Sequence, residues 1–225
     1  MGLLRLFNHA DALTGPFVIL ARKRIDGEET MANTVPEVFI IESLSLDDED
    51  SMRHEGEIIS KMLHLSGKTN TKYFYIRTER ELEKIIAIFD ETEYRYLHIS
   101  CHSNKTSMDT TFDHVSYAKL GKILKSCLKG RRVFVSACEM ANEGLAARLL
   151  PGTGCLSLIG PKEDIAFADA AAVWVAFYHL MFKANDRGMS GADIQRCITE
   201  LSKLYGVPIN HFAANKRNMQ GFRRV

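Results

Sequence analysis

From residue 37 onward, short runs of β-branched and aromatic residues alternate with stretches whose apolar positions recur every three or four residues. That alternation predicts a parallel sheet wrapped by helices. Val38 to Ile41 predicts the first strand and leads into an acidic loop, Asp47 to Asp50. Ile58, Ile59, Met62 and Leu63 then keep helical spacing. Tyr73 to Ile76 predicts the second strand. Thr78 and Glu81 form a capping box ahead of Leu82, Ile85, Ile86 and Phe89, because hydroxyl and carboxylate together satisfy the exposed N–H groups of a helix start. The third strand, Tyr94 to Cys101, places Leu97, Ile99 and Cys101 on one face and Tyr96, His98 and Ser100 on the other.

A polar loop follows, and Ser116 caps a helix that carries Leu120, Ile123, Leu124, Cys127 and Leu128 and closes at Gly130. Arg132 to Ala137 is apolar almost throughout, as suits a central strand covered on both faces. A helix with Leu145, Ala146, Leu149 and Leu150 stops at Pro151-Gly152. Cys155 to Ile159 predicts a fifth strand, residues 165–182 a buried helix, and Ser190 with Asp193 the cap of a helix bearing Ile194, Cys197, Ile198 and Leu201. Pro208 to Ala213 predicts a last strand at the sheet edge, where proline is tolerated. Residues 1–36 are a separate N-terminal extension whose role the pattern does not disclose, with Phe17 to Leu20 as a strand and Asp26-Gly27 as a hairpin turn. Residues 37–225 form the folded domain.

The chain of 225 residues carries 29 basic and 28 acidic side chains for a formal charge of +1, which argues against the broad basic footprint of a nucleic-acid binder. The basic pairs Lys216-Arg217 and Arg223-Arg224 read as a solvated tail. Neither a signal peptide nor a membrane span is legible: Asp169 and His179 interrupt the most apolar stretch. Five cysteines, an odd number without a C-x-x-C pair, fit a reducing cytoplasm rather than a disulfide framework or a four-cysteine zinc site. His98, Cys101 and His102 form a compact His/Cys group of the kind that can bind zinc. On a strand Cys101 points away from the histidines and no fourth ligand is evident, so no metal or cofactor is expected. His98 reads as a core histidine, and Asp113-His114 and His211 as loop or edge residues.

His102 and Cys138 both fall at the carboxyl ends of predicted parallel strands, where open sheets place their functional crevice. A thiol there precedes a helix whose dipole would favour the thiolate. A neighbouring imidazole could then protonate a leaving amine, the division of labour in Cys-His hydrolases. Spacing alone favours the bland alternative, a buried structural thiol beside a loop histidine.

Leu97-His98-Ile99-Ser100-Cys101-His102-Ser103 resembles the strand-plus-histidine motif of caspase-like, clan CD cysteine proteases. Val133-Phe134-Val135-Ser136-Ala137-Cys138 is similar to their second motif, in the Ser-Ala-Cys form of the CHAT branch, which also carries a histidine four residues before the catalytic one, as His98 is here. The resemblance covers residues 37–183. It implies a three-layer α/β fold with a mostly parallel central sheet and helices on both faces, and a cysteine endopeptidase acting on protein or peptide substrates. Cys138 would be the nucleophile and His102 the general acid/base, with the oxyanion held by the backbone N–H groups of Cys138 and Ser103. The family has glycine at position 103, so a turn demanding positive φ would strain the serine. Ser136 would line the pocket for the residue before the cut, and as a small neutral side chain it sets no charge preference. Asp48 in the acidic loop favours a basic substrate residue, whereas Arg53 favours an acidic one. A solvated loop is the third reading, and the balance of charge leans to basic.

The resemblance further implies control, by homodimerisation, by an activating partner protein, or by an RNA or small nucleotide signal, as in prokaryotic antiphage effectors. Residues 1–36 are one candidate receiver. Two rivals stay open on sequence: a catalytically silent, partner-binding pseudoprotease, motivated by Ser103, and a Cys-dependent acyltransferase on a similar sheet.

Overall fold

Val35–Glu42 (β1) opens the fold in the computed structural model, which describes residues 34–225. The strand and hairpin expected at 17–20 and 26–27 lie outside the described residues, and β1 starts two residues ahead of position 37. Leu46–Asp50 (α1), Glu55–Leu65 (α2), Lys72–Tyr75 (β2), Glu79–Asp90 (α3) and Tyr94–Ser100 (β3) follow. Next come His102–Ser103 (β4), Ser107–Asp109 (β5), His114–Ser116 (β6), Tyr117–Leu124 (α4), Arg132–Ser136 (β7) and Glu143–Leu149 (α5). Ser157–Pro161 (β8), Phe167–Ala184 (α6), Gly191–Tyr205 (α7), Ile209–Ala214 (β9) and Phe222–Arg224 (β10) complete the chain.

The seven-stranded sheet runs in the order β10-β9-β8-β7-β3-β1-β2. Its five strands from β8 to β2 are parallel, and β9 and β10 add antiparallel pairs. Alternation along the central strands divides the core into two layers. Phe39, Leu97 and Val135 face α3, α4 and α5 on one side, and Ile40, Tyr96 and Phe134 face α2, α6 and α7 on the other. This is the expected three-layer α/β architecture. The capping box at Thr78 and Glu81 and the serine caps at 116 and 190 form as predicted.

Four local expectations change. The helix capped by Ser116 ends at Leu124, and Gly130 lies beyond it at φ 72°, hydrogen-bonded through its N–H to Gly154 O at 2.9 Å as the chain enters β7. The loop after His102 folds into a small antiparallel sheet, β4-β5-β6. The acidic loop is helical, because Ser45 caps α1 by accepting from the Asp48 N–H. Finally, β9 is not an edge: Phe222 is buried, and Arg223 and Arg224 pair with Ala213 and Phe212, so part of the basic tail is sheet. No described helix is long and apolar enough to cross a membrane.

Candidate active site

The register of the sheet sets the floor of the site. Glu42, Ser100 and Ser136 lie side by side where β1, β3 and β7 end. Glu42 ties the next helix to that row: its Oε1 accepts the Gly56 N–H at 2.7 Å and its Oε2 the Tyr73 hydroxyl at 2.7 Å. Glycine at 56 lets α2 come this close, since a Cβ there would stand 3.1 Å from Ile40 Cγ2 and 3.2 Å from Glu42 Cβ and would push those side chains aside. The docked helix start delivers Glu55 beneath the two serines, and its Oε2 accepts Ser100 Oγ at 2.9 Å and Ser136 Oγ at 2.8 Å. Glu55 is only 3% exposed, and burial pushes its carboxyl up to about 8 despite the two serine hydroxyls.

Above this floor opens a cavity of about 50 Å³ whose walls include His102, Cys138, Ile165, Phe167 and Ala170, with Glu55, Ser100 and Ser136 at its polar end. The two strand-end residues expected to carry chemistry therefore share one cavity. His102 leaves β3 through Cys101, whose N–H bonds Ser136 O at 3.2 Å. Its ring meets Phe167 edge-on at 5.6 Å, and its Nε2 lies 2.6 Å from Asp48 Oδ2. With that nitrogen committed to the carboxylate, Nδ1 is left as the basic nitrogen of the neutral ring.

Asp48 and Arg53, read from the sequence as opposing pocket charges, pair with each other instead: Arg53 Nη1 lies 2.6 Å from Asp48 Oδ1, and the guanidinium sits over Phe167. Burial disfavours the ionised form of Asp48, but hydrogen bonds from Ser45, His102 and Arg53 outweigh it and hold the carboxyl below its usual range.

Cys138 lies two residues past the end of β7, after Ala137, and is half-buried, whereas Cys101, Cys127, Cys155 and Cys197 are buried, and all five thiols are free. The helix expected to begin at Cys138 starts five residues later, at Glu143, with Asn142 as its cap. Without a helix terminus to favour the thiolate, burial pushes the thiol up. The Ile165 backbone opposes that shift and the Asp164 carboxylate adds to it. Among the described residues no hydrogen bond joins the imidazole to the thiol. The hydroxyl of Ser103 donates to Cys138 O and links the histidine loop to the cysteine loop. Ser103 sits in β4 without positive φ; in the cysteine loop the left-handed residue is Glu139 at φ 54°, braced by Lys105 at 3.2 Å, and Met52 beside Arg53 is the other such non-glycine residue among those described, at φ 55°. A non-glycine residue held there costs on the order of 1 kcal/mol, and such strain gathers at functional turns.

The remaining candidates are structural. His98 is fully buried, with Nδ1 3.0 Å from the Tyr178 hydroxyl, and burial lowers it to about 3. His211, read as an edge residue, is buried against Gln195 because β10 covers its strand, and burial lowers it to about 4. His114 is an exposed partner of Asp109. No group of three or more His, Cys, Asp or Glu side chains among the described residues is arranged to hold a metal. Glu55 is the residue sequence reasoning missed. An acidic residue in the first turn of a helix reads as a complement to the helix dipole, and nothing in its spacing reveals the cavity above it.

The fold is caspase-like, shared with solved cysteine proteases. Among solved structures, a secreted C11 cysteine protease from Bacteroides thetaiotaomicron, "iotapain", is similar with a TM-score of 0.56 at 9% identity, over 80% of this chain and 66% of that one. An inactive zymogen C11 protease from Parabacteroides distasonis gives 0.55 at 13% identity, over 81% and 62%. The Arg-specific proteinase gingipain R gives 0.52 at 14% identity, over 76% and 43%. The chain thus spans less than two thirds of each of these proteins, and at such identities the likeness establishes the fold. No family model and no curated protein matches the sequence.

Proposed function

We propose that this chain is a cysteine endopeptidase that cleaves protein substrates through Cys138 and His102. The observation that carries the reading is their convergence on one cavity at the carboxyl ends of β3 and β7. The sulfur of Cys138 attacks the scissile carbonyl, and Nδ1 of His102 accepts the thiol proton and passes it to the departing amine. Water then hydrolyses the acyl-enzyme, with the same nitrogen accepting its proton. The backbone N–H groups of Cys138 and Ser103 hold the oxyanion, each worth a few kcal/mol in such sites. Peptide recognition by proteins of this fold supports the reading: the Bacteroides protease has been solved with an irreversible peptide inhibitor.

In its finer form the reading is a cytoplasmic, CHAT-type effector of prokaryotic antiphage defence, switched on by a partner protein, an RNA or a nucleotide messenger. Its support is the Ser136-Ala137-Cys138 form of the motif and a resting site in which burial and the Asp164 carboxylate hold the thiol neutral. The same raised thiol favours a second reading, a catalytically silent partner-binding module.

Intact-mass labelling with a peptide acyloxymethyl ketone separates the two. Stoichiometric modification that vanishes in Cys138→Ala, together with cleavage that vanishes in His102→Ala, is expected of the protease. Labelling that persists in Cys138→Ala, or cleavage that survives His102→Ala, overturns it.

A further inference from the structure

The cavity beside Cys138 is layered. Ile165, Phe167 and Ala170 line its apolar part, while Glu55, Ser100 and Ser136 close its inner end. Glu55 Oε2 is engaged by both serine hydroxyls, but Oε1 is buried with no hydrogen-bond partner. A buried carboxyl oxygen without a partner is costly, so a donor group that entered the cavity would be favoured there. Each serine hydroxyl gives its proton to Oε2 and keeps lone pairs free to accept. The inner end therefore offers three acceptors, Oε1 and two hydroxyl oxygens, around a space of about 50 Å³. A primary ammonium is a compact charge with three donors on an unbranched methylene stem.

Resting on the protease reading above, we infer that Glu55 is the specificity residue of this site: it receives the ammonium group of a lysine side chain on the residue whose carbonyl Cys138 attacks. The acylated residue must lie against the thiol, so its side chain enters the cavity that the thiol helps to wall. The methylenes pack against Ile165, Phe167 and Ala170, and the ammonium reaches Oε1, Ser100 and Ser136. A neutral isostere would leave Oε1 without a charged partner.

Recognition is also coupled to a proton. Burial keeps the Glu55 carboxyl protonated at neutral pH when the cavity is empty, and a docked ammonium favours the ionised form, so lysine binding releases one proton to solvent. The titratable groups around Glu55 are Glu42 from β1, Cys101 at the end of β3 and Tyr178 from α6, and His102 and Cys138 line the same cavity. Glu42 raises it further, and Cys101 and Tyr178 are held neutral well above the working range. Affinity for lysine should therefore climb between about pH 6 and 8.

The test is binding, not turnover. Full-length Cys138→Ala protein is titrated by calorimetry with acetyl-Ala-Ala-Lys methylamide and with its norleucine counterpart, which keeps the stem and lacks the charge. At pH 8 the lysine peptide is expected to bind about tenfold or more tightly than the norleucine peptide. The gap should narrow below pH 7 and close in Cys138→Ala/Glu55→Gln, with norleucine binding the same in both proteins. Equal binding of the two peptides, no binding of either, or a lysine preference that survives Glu55→Gln overturns the inference. Labelling of Cys138 by a warhead with alanine at the acylated position tests the protease reading alone, so the two can fail separately.

Discussion

His102 Nε2 and Asp48 Oδ2 lie 2.6 Å apart, joining the strand-end loop after β3 to the short helix α1. Ser45 Oγ and Arg53 Nη1, each 2.6 Å from an Asp48 oxygen, fix the carboxylate from its other sides, and Phe167 stands edge-on to the imidazole. The ring is thereby held in one orientation and one tautomer, with Nδ1 as the nitrogen able to exchange a proton. Under the proposed mechanism Asp48 acts through His102, as a positioning residue.

Asp48→Asn should therefore depress kcat by about 10²- to 10⁴-fold, the range seen when a general acid/base loses its contribution or its orienting carboxylate. KM for a good peptide substrate should barely move, because Asp48 lies behind the imidazole. Asp48→Glu, which keeps a carboxylate at a slightly longer reach, should recover part of the rate. Steady-state kinetics of the three proteins decides it: a rise in KM with unchanged kcat would instead return Asp48 to the substrate pocket, as the sequence suggested.

The same carboxylate has a signature in stability. Its folded-state value lies below the unfolded one, so it contributes stability above the ordinary carboxylate range and loses it as pH falls through the lowered value. With Arg53 and His102 both substantially exposed, the contribution is about 1 kcal/mol. Urea denaturation should show Asp48→Asn less stable than wild type at pH 7, with the difference fading toward pH 3.

Cys138 makes a third prediction. Burial and the Asp164 carboxylate both favour the neutral thiol, and alkylation proceeds through the thiolate. Iodoacetamide should therefore modify Cys138 slowly at pH 7 and progressively faster as pH rises past the ordinary thiol range. Asp164→Ala removes the carboxylate but not the burial, so it should speed modification at pH 7 severalfold while remaining slower than a solvated thiol. An unchanged rate in Asp164→Ala would show that burial alone sets the thiol.

The hydrophobic pattern made the central sheet legible, because β1, β3, β7 and β8 are covered on both faces and read as nearly continuous apolar runs. It also placed His102 and Cys138 at the strand ends. What it missed was held by other forces. The β4-β5-β6 sheet and β10 have strands of only two or three residues, too short for a period-2 pattern to stand out, and are held by backbone pairing. The helical state of α1 hinges on the Ser45 cap, and the link from Asp48 to His102 spans 54 residues. Glu55 was hidden for a related reason: the long-range docking of Gly56 on Glu42 turns an ordinary first-turn acid into the floor of a cavity. Register and docking across the sheet decide such contacts, and local periodicity carries neither.

Glu55 predicts a stability profile opposite in sign to that of Asp48. Its carboxyl is raised by burial from 4.5 to about 8, so the folded protein binds more protons than the unfolded chain between those values. Wild-type stability must then fall as pH rises through that window, by up to several kcal/mol, the loss being complete above pH 8. Glu55→Gln keeps the shape and a hydrogen-bonding oxygen for Ser100 and Ser136 but cannot ionise. At pH 5, where both side chains are neutral, the two proteins should unfold at similar urea concentrations. By pH 9 the variant should be clearly the more stable. Parallel profiles for the two proteins would mean that Glu55 ionises in the empty cavity without penalty, and the proton release expected on lysine binding would go with it.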